Sequence, residues 1–379
     1  MKIQSKFPHM KTTIFTQISQ LANKHNAVNL GQGFPNFSAS EYLLERLAFH
    51  TNAGLNQYAP MTGLEKLRQS IVKLHSKVYS QEINGDDEIT VTSGATEAIF
   101  CAISAITRQD DEVIFFDPSY DSYAPNIELN GGVPVRVNLN GDFSINWELV
   151  AKNITSKTKA IILNSPHNPS GKCLTNEDLN SLWELVEDKN IFIISDEVYQ
   201  HIIFDAKEHL SPFNDQRFRS RTFAISSFGK SLHATGWKVG YCVAPKELST
   251  EFRKIHQYVT FSTPANMQMA ISDMLDNKEA EILVLSQFYQ YKRDLFQKEL
   301  EQTDFTILPC EGSFFQLVDY SKISTEEDTV FCTQLIEKYK IATIPLSPFY
   351  KQPPKQRLIR FCFAKDDNTL KSALKSLQK

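Results

Sequence analysis

Short runs of β-branched and aromatic residues recur along this chain, separated by helix-favouring segments, and that alternation limits the fold more than any other feature. The runs occupy 88–92, 112–116, 133–137, 160–163, 191–195, 222–226 and 239–243. Apolar at successive positions instead of every second one, they read as strands buried on both faces. Helix-like segments follow at 96–106 and 175–189, the second opening on Thr175 as N-cap with Asp178 where a capping box places an acid. The pattern predicts an α/β fold, a mostly parallel central sheet sandwiched by helices. A charged, helix-favouring stretch at 278–301 precedes candidate strands at 314–318 and 358–363. We therefore expect a large domain over 33–277 and a smaller α+β domain built from 1–32 and 278–379.

Bulk properties exclude several functions. Among 379 residues, 40 are basic and 44 acidic, so no long-range positive field draws the chain to nucleic acid or an anionic membrane. No apolar run approaches the ~18 residues that span a bilayer, and no leader pattern follows the first basic residues. The six cysteines lie without paired or metal-type spacing, which suits reduced thiols and a cytoplasmic protein. The nine histidines likewise show no metal-ligand spacing, and His167 and His233 are expected to serve in loops or behind the residues of the site. Phosphate-loop and dinucleotide glycine motifs are missing.

In an open α/β sheet, ligands bind beyond the carboxyl ends of the strands. Those positions hold Asn168-Pro-Ser-Gly171, Asp196-Glu-Val-Tyr199 and Ser227-Phe-Gly-Lys230, with Lys238 eight residues after Lys230. Taken singly they are unremarkable: a lysine is ordinarily a surface residue, an aspartate a helix cap, an arginine such as Arg360 half of a surface ion pair. Trp237 and Phe228 read as packing residues. In this order, and all at strand ends, they instead read as one cofactor site.

These motifs resemble the fold-type I pyridoxal-phosphate aminotransferases, and the resemblance spans nearly the whole chain. Asn29-Leu-Gly-Gln-Gly33-Phe34-Pro, Asn56-Gln-Tyr58, Asp117-Pro-Ser-Tyr120-Asp-Ser-Tyr123 and Ile359-Arg360-Phe are similar to the kynurenine/glutamine aminotransferase branch and, nearer still, to bacterial methionine aminotransferases. The resemblance implies a pyridoxal 5'-phosphate enzyme in which Lys230 links to the cofactor aldehyde and shuttles the substrate proton. It gives Asp196 the pyridine nitrogen and gives Tyr199 and Asn168 the ring oxygen. Tyr120 is implied against the ring face, and Gly94, Ala95, Thr96, Ser227 and Lys238 around the phosphate. Many relatives have arginine where Lys238 stands, and some have a small or aromatic residue where Glu97 stands.

Arg360 is the expected fork for the substrate α-carboxylate, which Asn168 and the backbone at Gly33 would also approach. The segment 258–264 lacks the arginine that aspartate-specific relatives supply near this region. An apolar pocket is therefore expected, lined by Ile14, Phe15, Phe34 and Phe261. The resemblance also implies a homodimer with shared sites, Tyr58 reaching the partner's cofactor phosphate. Methionine and aromatic amino acids are the expected donors and a 2-oxo acid the acceptor. Kynurenine/glutamine transamination and cysteine-conjugate β-lysis are the alternatives. A non-catalytic binding protein is disfavoured by the presence of Lys230, Asp196 and Arg360 together.

Overall fold

The computed structural model describes residues 3–8, 10 and 12–378. Its strands, in chain order, are β1 (Val28–Asn29), β2 (Ile89–Thr92), β3 (Glu112–Asp117), β4 (Val133–Asn138), β5 (Thr158–Asn164), β6 (Phe192–Asp196), β7 (Thr222–Ser227), β8 (Gly240–Val243), β9 (Thr306–Ile307), β10 (Phe315–Asp319), β11 (Ile341–Ala342), β12 (Ile344–Pro345) and β13 (Leu358–Cys362). Seven of them form the central sheet in the order β2-β8-β7-β6-β5-β3-β4. From β7 to β4 every pairing is parallel. β8 alone runs antiparallel to both of its neighbours, β2 and β7.

The continuous apolar runs are explained by two-sided burial. Ile161 and Ile193 join a core with Leu179, Leu182 and Val186 of the helix Asn176–Val186. Their neighbours Ile162 and Ile194 point the other way, into a core with Ala98, Cys101 and Ala102 of the helix Gly94–Ile106. Each such isoleucine contributes about 1.5–3 kcal/mol by burial. The capping box at Thr175 and Asp178 is present, so the sequence signal for that helix start was sound.

A second, antiparallel sheet has the order β12-β13-β10-β9. β1 pairs in parallel with β11, Val28 opposite Ile341, and ties the amino-terminal segment to the last part of the chain. The charged, helix-favouring stretch forms two helices, Ala280–Leu283 and Leu285–Leu300, with Val284 at φ −92° and ψ 0° between them. The break serves packing. Ile282 faces a core shared with Phe228 and Met274, whereas Leu285 faces another, shared with Phe314 and Tyr289.

Candidate active site

The carboxyl ends of β3, β5, β6 and β7 meet at one edge of the sheet, because parallel pairing in register places Asn164 opposite Asp196 and Asp196 opposite Ile225. Asp196 ends β6 almost without exposure. Tyr123 donates its hydroxyl to Asp196 Oδ2 at 2.6 Å, and the Val198 amide reaches Oδ1 at 3.4 Å. Burial pushes this carboxyl up to about 6 against the lowering effect of those two donors. Asn164 grips both flanking loops: its Nδ2 donates to the Asp196 carbonyl at 3.0 Å, and its Oδ1 accepts the Asn168 amide at 2.8 Å.

After β7, the Ser227 side chain accepts the Gly229 amide and caps the short helix Phe228–Ser231. That turn aims Lys230 into the cleft. Its Nζ donates to the Gly33 carbonyl at 3.0 Å and lies 5.3 Å from the Phe314 ring centre and 5.7 Å from that of Tyr199. Desolvation lowers this amine to about 8, with the Arg360 and Lys238 charges acting in the same direction. Tyr199 is buried, edge-on to Phe314 and Phe315.

Across the cleft, the turn before the helix Gly94–Ile106 is shaped by two left-handed residues, Gly94 at φ 75° and Lys238 at φ 54°. A β-carbon on Gly94 would lie 3.4 Å from Lys238 Nζ, so the ammonium sits directly at this helix start. One on Gly240 would press to 2.9 Å from the Gly94 backbone carbon and 3.0 Å from the Ala95 nitrogen. Absence of side chains here lets two backbones and a cation come together in an arrangement that could hold a small anion.

Arg360, on β13, closes the other end. It is 1% exposed, and burial lowers it to about 10. Its Nη1 donates to Asn168 Oδ1 at 2.7 Å and its Nη2 to the Gly31 carbonyl at 3.0 Å. The buried Nε has no hydrogen-bond partner among the described residues. Phe315 lies 3.8 Å below the guanidinium, with the ring centres of Phe349 and Phe15 at 5.3 and 5.4 Å. Gly33 is a steric requirement, since a β-carbon there would stand 2.7 Å from the Phe315 ring.

One cleft of roughly 990 Å³, its open mouth included, unites Phe15, Gly33, Ala95, Thr96, Tyr120, Asn168, Asp196, Tyr199, Ser227, Lys230, Lys238 and Arg360. Gly94 adjoins it through Lys238. Four expected residues lie outside the lining of this cleft. Ile14 packs against the apolar core, and Phe34 is exposed, with the Lys365 ammonium 4.9 Å from its ring centre. Tyr58 and Phe261 meet each other edge-on at 5.5 Å, away from the cleft. Sequence reasoning missed Tyr123 and Asn164. Tyr123 stood inside a quoted motif and Asn164 directly after the run 160–163, but only the fold reveals which loop atom each one meets. Of the two histidines near the motifs, His167 contacts Ser170 Oγ and the Pro118 carbonyl, and His233 stands edge-on to Phe37. All six cysteines are free and buried.

Comparison with known proteins agrees with this geometry. Residues 25–377 match the family described as "Aminotransferase class I and II". The chain is 49% identical to a methionine aminotransferase of Escherichia coli (strain K12), over 99% of this chain and 97% of that protein. It is 35% identical to a kynurenine–oxoglutarate transaminase of Dictyostelium discoideum, over 97% and 94% of the two chains. A solved Escherichia coli structure, described as having a methionine aminotransferase function, superposes with a TM-score of 0.97 at 48% identity, covering 100% of this chain and 99% of the other.

Proposed function

Because the chain belongs to the class I and II aminotransferases, we propose that it transfers the amino group of methionine, and less efficiently of aromatic amino acids, to a 2-oxo acid with pyridoxal 5'-phosphate as cofactor. The residues present suit that group. The side-chain-free turn at Gly94 and Gly240, with Lys238 beside it, suits a phosphate; buried Asp196 suits a pyridinium nitrogen. When bound, the cofactor offers an aldehyde that condenses with amines and a ring that accepts the electron pair of the substrate α-carbon.

The chain's own groups do the rest. Asp196, held by Tyr123, would keep a proton on the ring nitrogen; Tyr199 and the Asn168 amide hydrogens would serve the ring oxygen, and Tyr120 would cover the ring. Arg360 retains unpaired N–H groups for the α-carboxylate. Lys230, lowered toward neutrality, can take and return the α-proton near pH 8.

Donor choice rests on one observation: the cations lining the cleft are Lys230, Lys238 and Arg360. With the first two assigned to the aldehyde and the phosphate, one fork remains for the α-carboxylate and none for a second carboxylate. A thioether packs well beside Phe15, Tyr120 and Phe315. Aspartate would bury an unpaired charge at a cost of several kcal/mol. We expect kcat/KM for methionine to exceed that for aspartate by about a hundredfold or more, measured with one fixed 2-oxo acid. Phenylalanine, tyrosine and kynurenine should fall between. Equal values for aspartate would overturn the assignment.

The same reading makes the active unit a homodimer. It is supported by exposed aromatics in one region, Tyr58 at 85%, Tyr258 at 89% and Phe261 at 37%, surfaces a monomer has little reason to display. Tyr58 would then reach the partner's phosphate. Lys230→Ala and Tyr58→Phe chains, each impaired alone, should recover part of the activity on mixing, since one site of the heterodimer carries neither defect. A fully active monomer in sedimentation would refute the sharing. Residues 33–277 would form the cofactor domain, and 1–32 with 278–379 the smaller one, a division supported by the pairing of β1 with β11. The six buried free thiols support a cytoplasmic setting.

A further inference from the structure

One turn into the helix Gly94–Ile106, close behind the proposed phosphate turn, a carboxylate sits in a nearly closed environment. Glu97 Oε2 accepts the Ser93 amide at 2.9 Å, and Oε1 accepts the Cys101 thiol at 2.9 Å. The third contact joins Oε1 to His256 Nδ1 at 2.8 Å. On the far side of that ring, Nε2 donates to the Met61 carbonyl at 3.0 Å. A carbonyl cannot donate, so Nε2 carries a hydrogen, and the short Nδ1 contact requires a further proton between ring and carboxylate. The His256 side chain is 0% exposed and that of Glu97 10%, so water neither screens nor replaces this proton.

The arrangement poses an electrostatic problem. A helix start attracts a phosphate through its amides and its positive end, and a bare carboxylate about 5 Å behind it opposes both. We propose that His256 is a positioning residue for cofactor binding: its shared proton cancels the Glu97 charge. Glu97 can then brace the Ser93 amide without repelling the phosphate. The inference rests on reading the Gly94–Thr96 turn as the phosphate seat. It concerns residues outside the cleft lining, so it adds a requirement to that reading.

The experiment compares pyridoxal 5'-phosphate with pyridoxal, which lacks the phosphate, as ligands of the apoenzyme. His256→Phe keeps the ring volume and removes the proton. It should weaken pyridoxal 5'-phosphate binding about tenfold, the scale of one uncompensated charge near a helix end, leave pyridoxal affinity within about twofold, and preserve kcat once cofactor is saturating. Adding Glu97→Gln, which removes the carboxylate charge, should restore phosphate-dependent affinity to within about threefold. Equal losses for both ligands, or no rescue by Glu97→Gln, would make the role merely structural and overturn the proposal. Should His256→Phe fail to fold, His256→Gln should give the same selective loss. Lys238→Ala is the control for the seat itself. If it leaves the preference for the phosphorylated ligand intact, the phosphate reading fails; if it abolishes that preference while His256→Phe does not alter it, only the present proposal fails. The Glu97, Cys101 and His256 ligand atoms also lie within 4.8 Å of one another. Stoichiometric zinc in the purified protein, lost on Cys101→Ser, would overturn the proton-sharing account.

Discussion

Lys230→Ala is expected to reduce transamination by at least about 10³-fold, because on the proposed assignment one amine both anchors the cofactor and moves the α-proton. Borohydride reduction of the wild type should fix a pyridoxyl group on the peptide containing Lys230 and on no other; in the variant no peptide should carry it. The desolvated setting of this amine adds a pH signature. An ordinary lysine stays protonated until near pH 10.4, whereas Lys230 is lowered to about 8. The neutral form is the nucleophile, so the rate at which apoenzyme takes up cofactor should rise with pH and flatten above about 8. A rate that keeps climbing to pH 10 would show that the amine is not desolvated, and turnover near wild type in Lys230→Ala would remove it from the mechanism.

Arg360→Ala should cost about 2–5 kcal/mol in kcat/KM, the range for truncating one side of a buried charge pair. The loss should be general. Every amino acid and every 2-oxo acid carries the α-carboxylate, so both half-reactions should weaken to a similar degree whatever the side chain. Lysine is not an adequate substitute, because the fork already spends Nη1 on Asn168 and Nη2 on Gly31 while presenting further N–H groups. Arg360→Lys should therefore stay well below wild type. A defect confined to one donor would place Arg360 in side-chain recognition instead.

The residues whose gathering in one cleft was legible in the sequence are those whose place follows from position after a strand. Lys230, Asp196, Tyr199 and Asn168 each follow a β-branched run, and the parallel sheet carries such positions to one edge whatever the side chains are. Pairings between loops were not legible. Nothing in the spacing of Tyr123 reveals that its hydroxyl ends 2.6 Å from Asp196, because β3 and β6 are separated by β5 and the contact depends on how the turn after β3 folds over. The reversed direction of β8 escaped for a different reason. Its sequence, Gly240-Tyr-Cys-Val, is as apolar as those of the parallel strands, and residue pattern carries no sign of direction. Phe261 marks a further boundary: an aromatic in an expected pocket segment cannot be told from one that faces outward until the chain is folded.

That reversed strand gives the protein a property unlike those of its neighbours. β8 returns between β2 and β7, bringing Gly240 opposite both Thr92 and Ser227, and so gathers three distant stretches of chain around one turn. β2 is the border strand of the sheet, with β8 its single partner. Its outer edge is bonded all the same, the Val91 amide donating to the Thr62 carbonyl at 3.1 Å and Arg253 Nη2 to the Ile89 carbonyl at 2.7 Å, and all four of its residues are buried. Here the opening of that border would also dismantle the floor beneath the Gly94 turn. If the proposed phosphate occupies that turn, it is expected to hold the β2 margin in place and to slow amide exchange from Ile89 to Thr92.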